Sequence, residues 1–209
     1  MAHPLASTIQ QPYRALVVLL HPDDSAEPAH RLVQAWRPIV PTAQVAALSV
    51  SCDGVGTAQA QLSTLLDAAH LGRQRLVLVG ICGAEGIALQ LAYSRSVPIC
   101  GGILACGAIL PPLALLAASN GNHDVRLRLV WDVRDPLTAA AALGALLQWF
   151  RADGVDAQGT VLEQEGAASS ACHPDNGVMS AAVTRMGGAY LAELVAIALG
   201  AARAGCARG

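Results

Sequence analysis

The sequence predicts a single α/β domain in which a mostly parallel β-sheet is covered by helices on both faces, a three-layer arrangement. Three observations support this prediction. Short apolar runs alternate with helical patterns, 54% of the residues are apolar while only 3% are aromatic, and 209 residues fit one domain. Ala, Val, Leu and Ile must therefore form the core. We expect residues 1–209 to form this domain, with residues 1–13 as a loose N-terminal segment.

Six strands are predicted from short apolar runs bounded by turn-forming residues. Residues 15–20 (ALVVLL) and 75–81 (RLVLVGI) are the clearest, because each is almost continuously apolar and suits a strand buried on both faces. The remaining predicted strands cover residues 45–50, 99–105, 125–131 and 159–163.

Helices are predicted between the strands because apolar residues recur there at spacings of three and four. The first has an apolar stripe, and Asp24 and Glu27 have the spacing of a capping box at its start. Alternation of strands and helices implies right-handed crossovers and a parallel sheet. The first stripe is formed by Ala29, Leu32, Val33 and Trp36, and the other predicted helices cover about residues 62–69, 83–93, 137–151 and 178–204.

Composition argues against several classes of partner and setting. The net charge is −2 and there is no basic run, so nucleic acid is not an expected partner. The N-terminus lacks the pattern of a secretory signal, and we therefore expect a reduced, cytoplasmic setting for the six cysteines. The cysteines form no CxxC pair, so no metal site or cofactor is predicted. No membrane span is predicted either, because the apolar stretch 189–204 contains charges and is shorter than about 20 residues.

The turn after the third predicted strand carries the main chemical signal. Gly80-Ile-Cys82-Gly83-Ala84 places a cysteine between small residues where the strand runs almost directly into a helix. This layout resembles the G-x-S-x-G nucleophile elbow of α/β-hydrolases, with Cys in place of Ser and Ala in place of the last Gly. It is similar to small carboxylesterases and phospholipases, and the cysteine resembles that of dienelactone hydrolases. The resemblance covers most of the chain and implies the α/β-hydrolase fold.

The resemblance also implies a catalytic triad in the order nucleophile, acid, base. Cys82 corresponds to the nucleophile, Asp135 in the segment Asp132-Val-Arg-Asp135-Pro136 to the acid, and His173 to the base. A helix beginning after Cys82 is expected to lower the pKa of its thiol, because helix-end charge and unpaired N–H groups would point at the sulfur. Asp132 is an alternative acid.

The oxyanion site is expected from two loops. Gly83 would donate its backbone N–H, and the second donor would come from the loop Pro22-Asp23 after the first strand. Pro22 has no N–H, so Asp23 would have to donate from its backbone. His21 corresponds to a family histidine that orders this loop.

Each of these residues also has a purely structural interpretation. Cys82 could simply fill a tight turn, since free cysteines are commonly buried. Asp135 before Pro136 is a good N-cap for the following helix, Asp24 can cap the first helix, and His173 could be a surface histidine in a loop.

Two functions therefore follow from the sequence. The first is a hydrolase that cleaves a carboxylic ester, thioester or lactone through an acyl-cysteine, with a small acyl compound as substrate and acyl transfer as a variant. Thiolates favour activated acyl groups, which makes a thioester or enol-lactone a better candidate than an alkyl ester. The second is a non-catalytic protein of the same fold that binds a ligand or partner. A homodimer is compatible with either.

Overall fold

The architecture is a six-stranded, fully parallel sheet between two layers of helices. The computed structural model describes residues 14–51, 54–68, 75–93, 101–107, 123–132, 140–162 and 181–206. The strands are β1 Ala15–His21, β2 Ala43–Ser49, β3 Leu76–Ile81, β4 Gly102–Cys106, β5 Arg126–Asp132 and β6 Asp156–Leu162. The helices are α1 Ala26–Trp36, α2 Val55–Ala68, α3 Glu85–Tyr93, α4 Ala140–Ala152 and α5 Ala181–Cys206, with a short 3-10 turn at Asp23–Ser25.

The sheet has the strand order β2-β1-β3-β4-β5-β6, and all neighbouring pairs are parallel. All strands therefore end at the same edge. Alternate side chains of each central strand face opposite layers, which explains why β1 and β3 are apolar at nearly every position. The predicted three-layer α/β fold is confirmed.

Two apolar clusters fill the space on the two sides of the sheet. One joins the sheet to α2, α3 and α4, and includes Leu62, Leu89 and Phe150. The other joins it to α1 and α5, and includes Trp36 and Leu191. Burial of both faces supplies the hydrophobic stabilisation that a domain of this size needs.

The start of α1 differs from the predicted capping box. Ser25 is the N-cap residue and its side chain makes no capping hydrogen bond, while Asp24 accepts a hydrogen bond of 3.1 Å from the Ser25 hydroxyl. Glu27 pairs with Arg31 one turn later. The capping-box prediction was wrong because Asp23–Ser25 form a 3-10 turn, which moves the start of the helix past Asp24.

Helix α5 contains a longer apolar stretch than the sequence prediction allowed. It has 26 residues, and Ala181–Gly200 meets the length and hydropathy of a membrane span. This corrects the argument that the stretch is too short. The helix packs on the sheet, with Val183, Leu191 and Leu194 buried, and Glu193 pairs with Arg128 of β5. We keep the prediction of no membrane span on the basis of this packing.

Candidate active site

The candidate site lies at the edge where the parallel strands end. Leu20 of β1 is paired with Gly80 of β3, so Pro22 and Cys82 each follow two residues later on adjacent strands. This edge is where ligands bind in open parallel α/β sheets, because the loops and helix starts converge there. The register thus brings together two of the loops that the sequence assigned to one site.

Cys82 occupies a sharp turn between β3 and α3. Its φ is +54°, and it is the only non-glycine residue with positive φ in the described part of the chain. Gly83 follows with φ +105°, and the Ala84 N–H donates to the Ile81 carbonyl at 3.0 Å. A non-glycine residue in this region is strained, and such strain is concentrated at functional sites. The thiol is reduced and partly exposed, and it also packs against the apolar cluster of α1 and α5.

Gly80 is needed for this turn to close. A Cβ at Gly80 would lie 2.5 Å from the Glu85 Cα and 2.8 Å from the Glu85 backbone nitrogen. The first residue of α3 therefore sits against the end of β3, with no room for a side chain between them. This is the physical reason for the small residue that the elbow pattern requires.

Glu85 is a component of the site that the sequence analysis missed. It is the first residue of α3 and is fully buried, and its Oε2 accepts a hydrogen bond of 2.8 Å from the Gly83 N–H. Gly107, directly after β4, leaves the space for this carboxylate, since a Cβ there would lie 2.1 Å from Oε1. The Gly83 N–H expected to serve an oxyanion thus donates to a side chain of the same protein.

Cys106 lies beside this group, at the end of β4. It is paired with Ile81, the residue before Cys82, and is fully buried. Burial raises the pKa of the Cys106 thiol, and the charges of Glu85 and Cys82 raise it further. Cys106 therefore remains a neutral thiol, whereas Cys82 reaches solvent.

The loop after β1 is arranged around the carbonyl of Pro22. His21 is 5% exposed, and its Nδ1 lies 2.7 Å from the Pro22 carbonyl, which also accepts the Ser25 N–H at 3.0 Å. The Asp23 carboxylate accepts a hydrogen bond from Ser49 at the end of β2. Because β2 lies on the side of β1 away from β3, this bond turns the carboxylate away from Cys82. Asp23 can therefore lie in the loop without directing its charge at the elbow.

The described residues include only part of the rest of the predicted triad. Asp135 and His173 fall outside the described residues. Asp132, the alternative acid, is the last residue of β5, so its backbone ends at the same edge as the elbow. Within the described ranges, no group of three or more His, Cys, Asp and Glu residues could hold a metal ion.

Comparison with solved structures supports the assignment of the fold. The chain is similar to esterase PE8, with a TM-score of 0.64 and 20% identity over 87% of this chain and 93% of that one. It is also similar to MGS-M1, an α/β-hydrolase enzyme from a Medee basin deep-sea metagenome library, with a TM-score of 0.68 and 12% identity over 93% and 89%. A phospholipase/carboxylesterase from Dyadobacter fermentans gives a TM-score of 0.59 and 10% identity over 85% and 88%.

These likenesses confirm that the chain has the α/β-hydrolase fold. Neither a protein-family model nor a curated protein sequence matches it. At these identities the likeness concerns the fold, and activity has to be argued from the site.

Proposed function

We propose that this protein is a hydrolase of carboxylic esters, thioesters or lactones in which Cys82 is the nucleophile. The observation that carries the proposal is the strained, partly exposed cysteine at φ +54° between β3 and α3. The esterase fold of the similar structures adds support. A strained turn that presents a thiol at the edge of the sheet is what acyl transfer to cysteine requires.

The proposed reaction has two steps. The Cys82 thiolate attacks the acyl carbonyl carbon, and the alcohol or thiol leaves with the proton taken from Cys82 by His173. Water, deprotonated by His173, then attacks the acyl-cysteine and releases the acid and the thiol. We propose that Asp135 orients His173, with Asp132 as the alternative, and that the Asp23 and Gly83 N–H groups face the oxyanion. No cofactor is required for either step.

A second function, binding without catalysis, is favoured by one specific observation. The Gly83 N–H already donates to the Glu85 carboxylate, so the proposed oxyanion donor is engaged in this conformation. A protein of this fold that only binds a ligand would have no need of that donor. Hydrolysis and binding can be separated by an experiment on Cys82.

The test measures hydrolysis of p-nitrophenyl acetate and an acyl thioester by wild type, Cys82→Ala and Cys106→Ala. We expect turnover by wild type and Cys106→Ala, and loss of about 100-fold or more in Cys82→Ala. Acid quenching during turnover should trap one acetyl group on the peptide that contains Cys82. Equal, negligible rates for wild type and Cys82→Ala would refute the hydrolase and leave the binding protein. Asp135→Asn and His173→Ala should each lose about 100-fold or more.

We also propose a reducing, cytoplasmic setting, because Cys82 must remain a thiol to act as a nucleophile. A homodimer stays a prediction from the sequence.

A further inference from the structure

Glu85 is an unusual group to find beneath a nucleophile. Its side chain has no exposure to solvent, and its Oε2 lies 2.8 Å from the backbone nitrogen of Gly83, the residue after Cys82. Buried carboxylates are costly and rarely retained without partners. This one is held by a backbone N–H at the start of a helix, where positive helix-end charge favours an anion.

The pocket for this carboxylate is formed by several elements. Gly80 of β3 lets the backbone of Glu85 approach the strand end, and Gly107 after β4 leaves room for the carboxyl group. Cys106, the last residue of β4, is fully buried, and the charge of Glu85 contributes to the raised pKa of its thiol. The placement of Glu85 thus depends on β3, β4 and α3 together, and a capping residue at a helix start does not need such an arrangement.

The position of the carboxylate has two consequences for Cys82. The sulfur and the Gly83 nitrogen are separated by four covalent bonds, so they are at most about 5 Å apart, and the nearer carboxylate oxygen is within roughly 8 Å of the sulfur. A negative charge at that distance disfavours a thiolate by about tenfold or more at the effective dielectric of a protein. The same charge also opposes an oxyanion, because both compete for the Gly83 N–H.

We infer that Glu85 is a positioning residue whose buried carboxylate occupies the Gly83 N–H in the resting protein and disfavours the Cys82 thiolate, and that this donor must be released before it can hold an oxyanion. The inference rests on the proposed function of Cys82 and adds a condition to it. Acylation of Cys82 is then coupled to displacement of an internal carboxylate. A substrate whose carbonyl oxygen becomes strongly anionic in the transition state competes best for the donor.

The test measures the pH dependence of Cys82 alkylation by iodoacetamide in wild type, Glu85→Gln and the control Glu27→Gln. The amide of glutamine can still accept the Gly83 N–H but carries no charge, whereas Glu27 is exposed and pairs with Arg31 on α1. In Glu85→Gln we expect the midpoint of the pH profile of Cys82 alkylation to fall by about one pH unit. The rate of alkylation at pH 7 should rise about tenfold. Glu27→Gln should match wild type. Identical profiles for Glu85→Gln and wild type would overturn the inference.

A measurement on the wild type alone keeps the inference testable if Glu85→Gln does not fold. A helix start without Glu85 would lower the alkylation midpoint below the ordinary cysteine value of about 8.5, whereas the inference expects a midpoint at or above it. A midpoint below that value would refute the role of Glu85. Alkylation uses no acyl substrate, so loss of ester hydrolysis in the Cys82 experiment and failure of this inference are separate results.

Discussion

At the scale of single residues, the backbone of Cys82 is the feature that most distinguishes this chain. A residue with a Cβ in the left-handed region costs about 1–2 kcal/mol relative to an ordinary conformation. The conformation persists because Gly80 and Ala84 hold the turn closed from both sides. The surrounding structure therefore determines the conformation, and the side chain at position 82 does not.

This strain predicts that Cys82→Gly is more stable than Cys82→Ala. Glycine adopts positive φ without steric cost, while alanine keeps the strain of the wild-type turn. We expect the free energy of unfolding of Cys82→Gly to exceed that of Cys82→Ala by about 1 kcal/mol, measured by urea denaturation. If the two variants are equally stable, the turn does not carry the strain that its φ implies.

Cys82 and Cys106 are predicted to differ in reactivity. Burial, followed by the charges of Glu85 and Cys82, raises the pKa of Cys106, so it stays protonated where exposed thiols ionise. Iodoacetamide at pH 8 should label Cys82 in the folded protein and label Cys106 only in urea, as read by peptide mass spectrometry.

The raised pKa of Cys106 also makes the stability of the folded state depend on pH. Above about pH 8.5 the unfolded chain loses the Cys106 proton while the folded chain keeps it, so the stability of the folded state falls as pH rises. Labelling of Cys106 in the folded protein as fast as Cys82 would contradict its burial.

At the scale of elements, the buried strands were the most predictable part of the fold. The predicted runs 15–20 and 75–81 match Ala15–His21 and Leu76–Ile81 within one residue, because strands buried on both faces are apolar throughout. Strand β6 was placed at 159–163 and begins at Asp156. It lies at the edge of the sheet, where polar and partly exposed positions leave no apolar run to mark its start.

The site was predictable only where its pattern is local in sequence. The elbow could be found because Gly80, Cys82 and Gly83 are consecutive or nearly so. Glu85 was interpreted as an ordinary residue of a helical pattern, since its burial depends on Gly107, which directly follows a different strand. The sequence therefore predicted unpaired N–H groups at the elbow. For Gly83 this prediction was wrong, because its N–H donates to Glu85.

The junction at the other end of α3 gives a prediction about stability. Tyr93 is 2% exposed, its hydroxyl donates to the Asp153 carboxylate after α4, and its ring packs on Trp149 and Phe150. Burial, followed by Asp153, raises the pKa of Tyr93, so the hydroxyl keeps its proton. Tyr93→Phe keeps the ring contacts and should cost about 1.5–3 kcal/mol, as expected for a hydrogen bond to a charged group.

The matched control is Tyr190→Phe, which removes a bond of 2.7 Å between two neutral hydroxyls, those of Tyr190 and Thr160. It should cost about 0.5–1.5 kcal/mol in the same urea titration. If Tyr93→Phe lowers the free energy of unfolding no more than Tyr190→Phe does, the hydrogen bond to Asp153 contributes little to stability.

At the scale of the whole molecule, one buried cation ties α5 to the sheet. Arg128 of β5 is 1% exposed, and its guanidinium contacts Glu193 of α5 at 2.5 Å and Asp156 of β6 at 3.3 Å. Burial lowers the pKa of Arg128, but hydrogen bonds to Glu193 and Asp156 outweigh it and raise the pKa overall. The cation therefore connects α5, β5 and β6.

Removal of Glu193 is predicted to destabilise the fold strongly. Glu193→Ala leaves Arg128 buried with one carboxylate partner fewer, which we expect to cost about 3 kcal/mol in urea denaturation. The control is Glu27→Ala, whose pair with Arg31 is exposed on both sides and should contribute less than about 1 kcal/mol. Similar losses of stability in the two variants would mean that the other partners of Arg128 are sufficient and that its pair with α5 adds little.

The conformation at position 82 also bears on how this scaffold can diversify. Since neighbouring glycine and alanine residues impose the reversal, the atom displayed there can be exchanged while its placement is preserved. An alcohol or a thiol would be offered at the same point by replacement of one amino acid. Evolution of new reactivity on this framework is thereby separated from the evolution of its architecture.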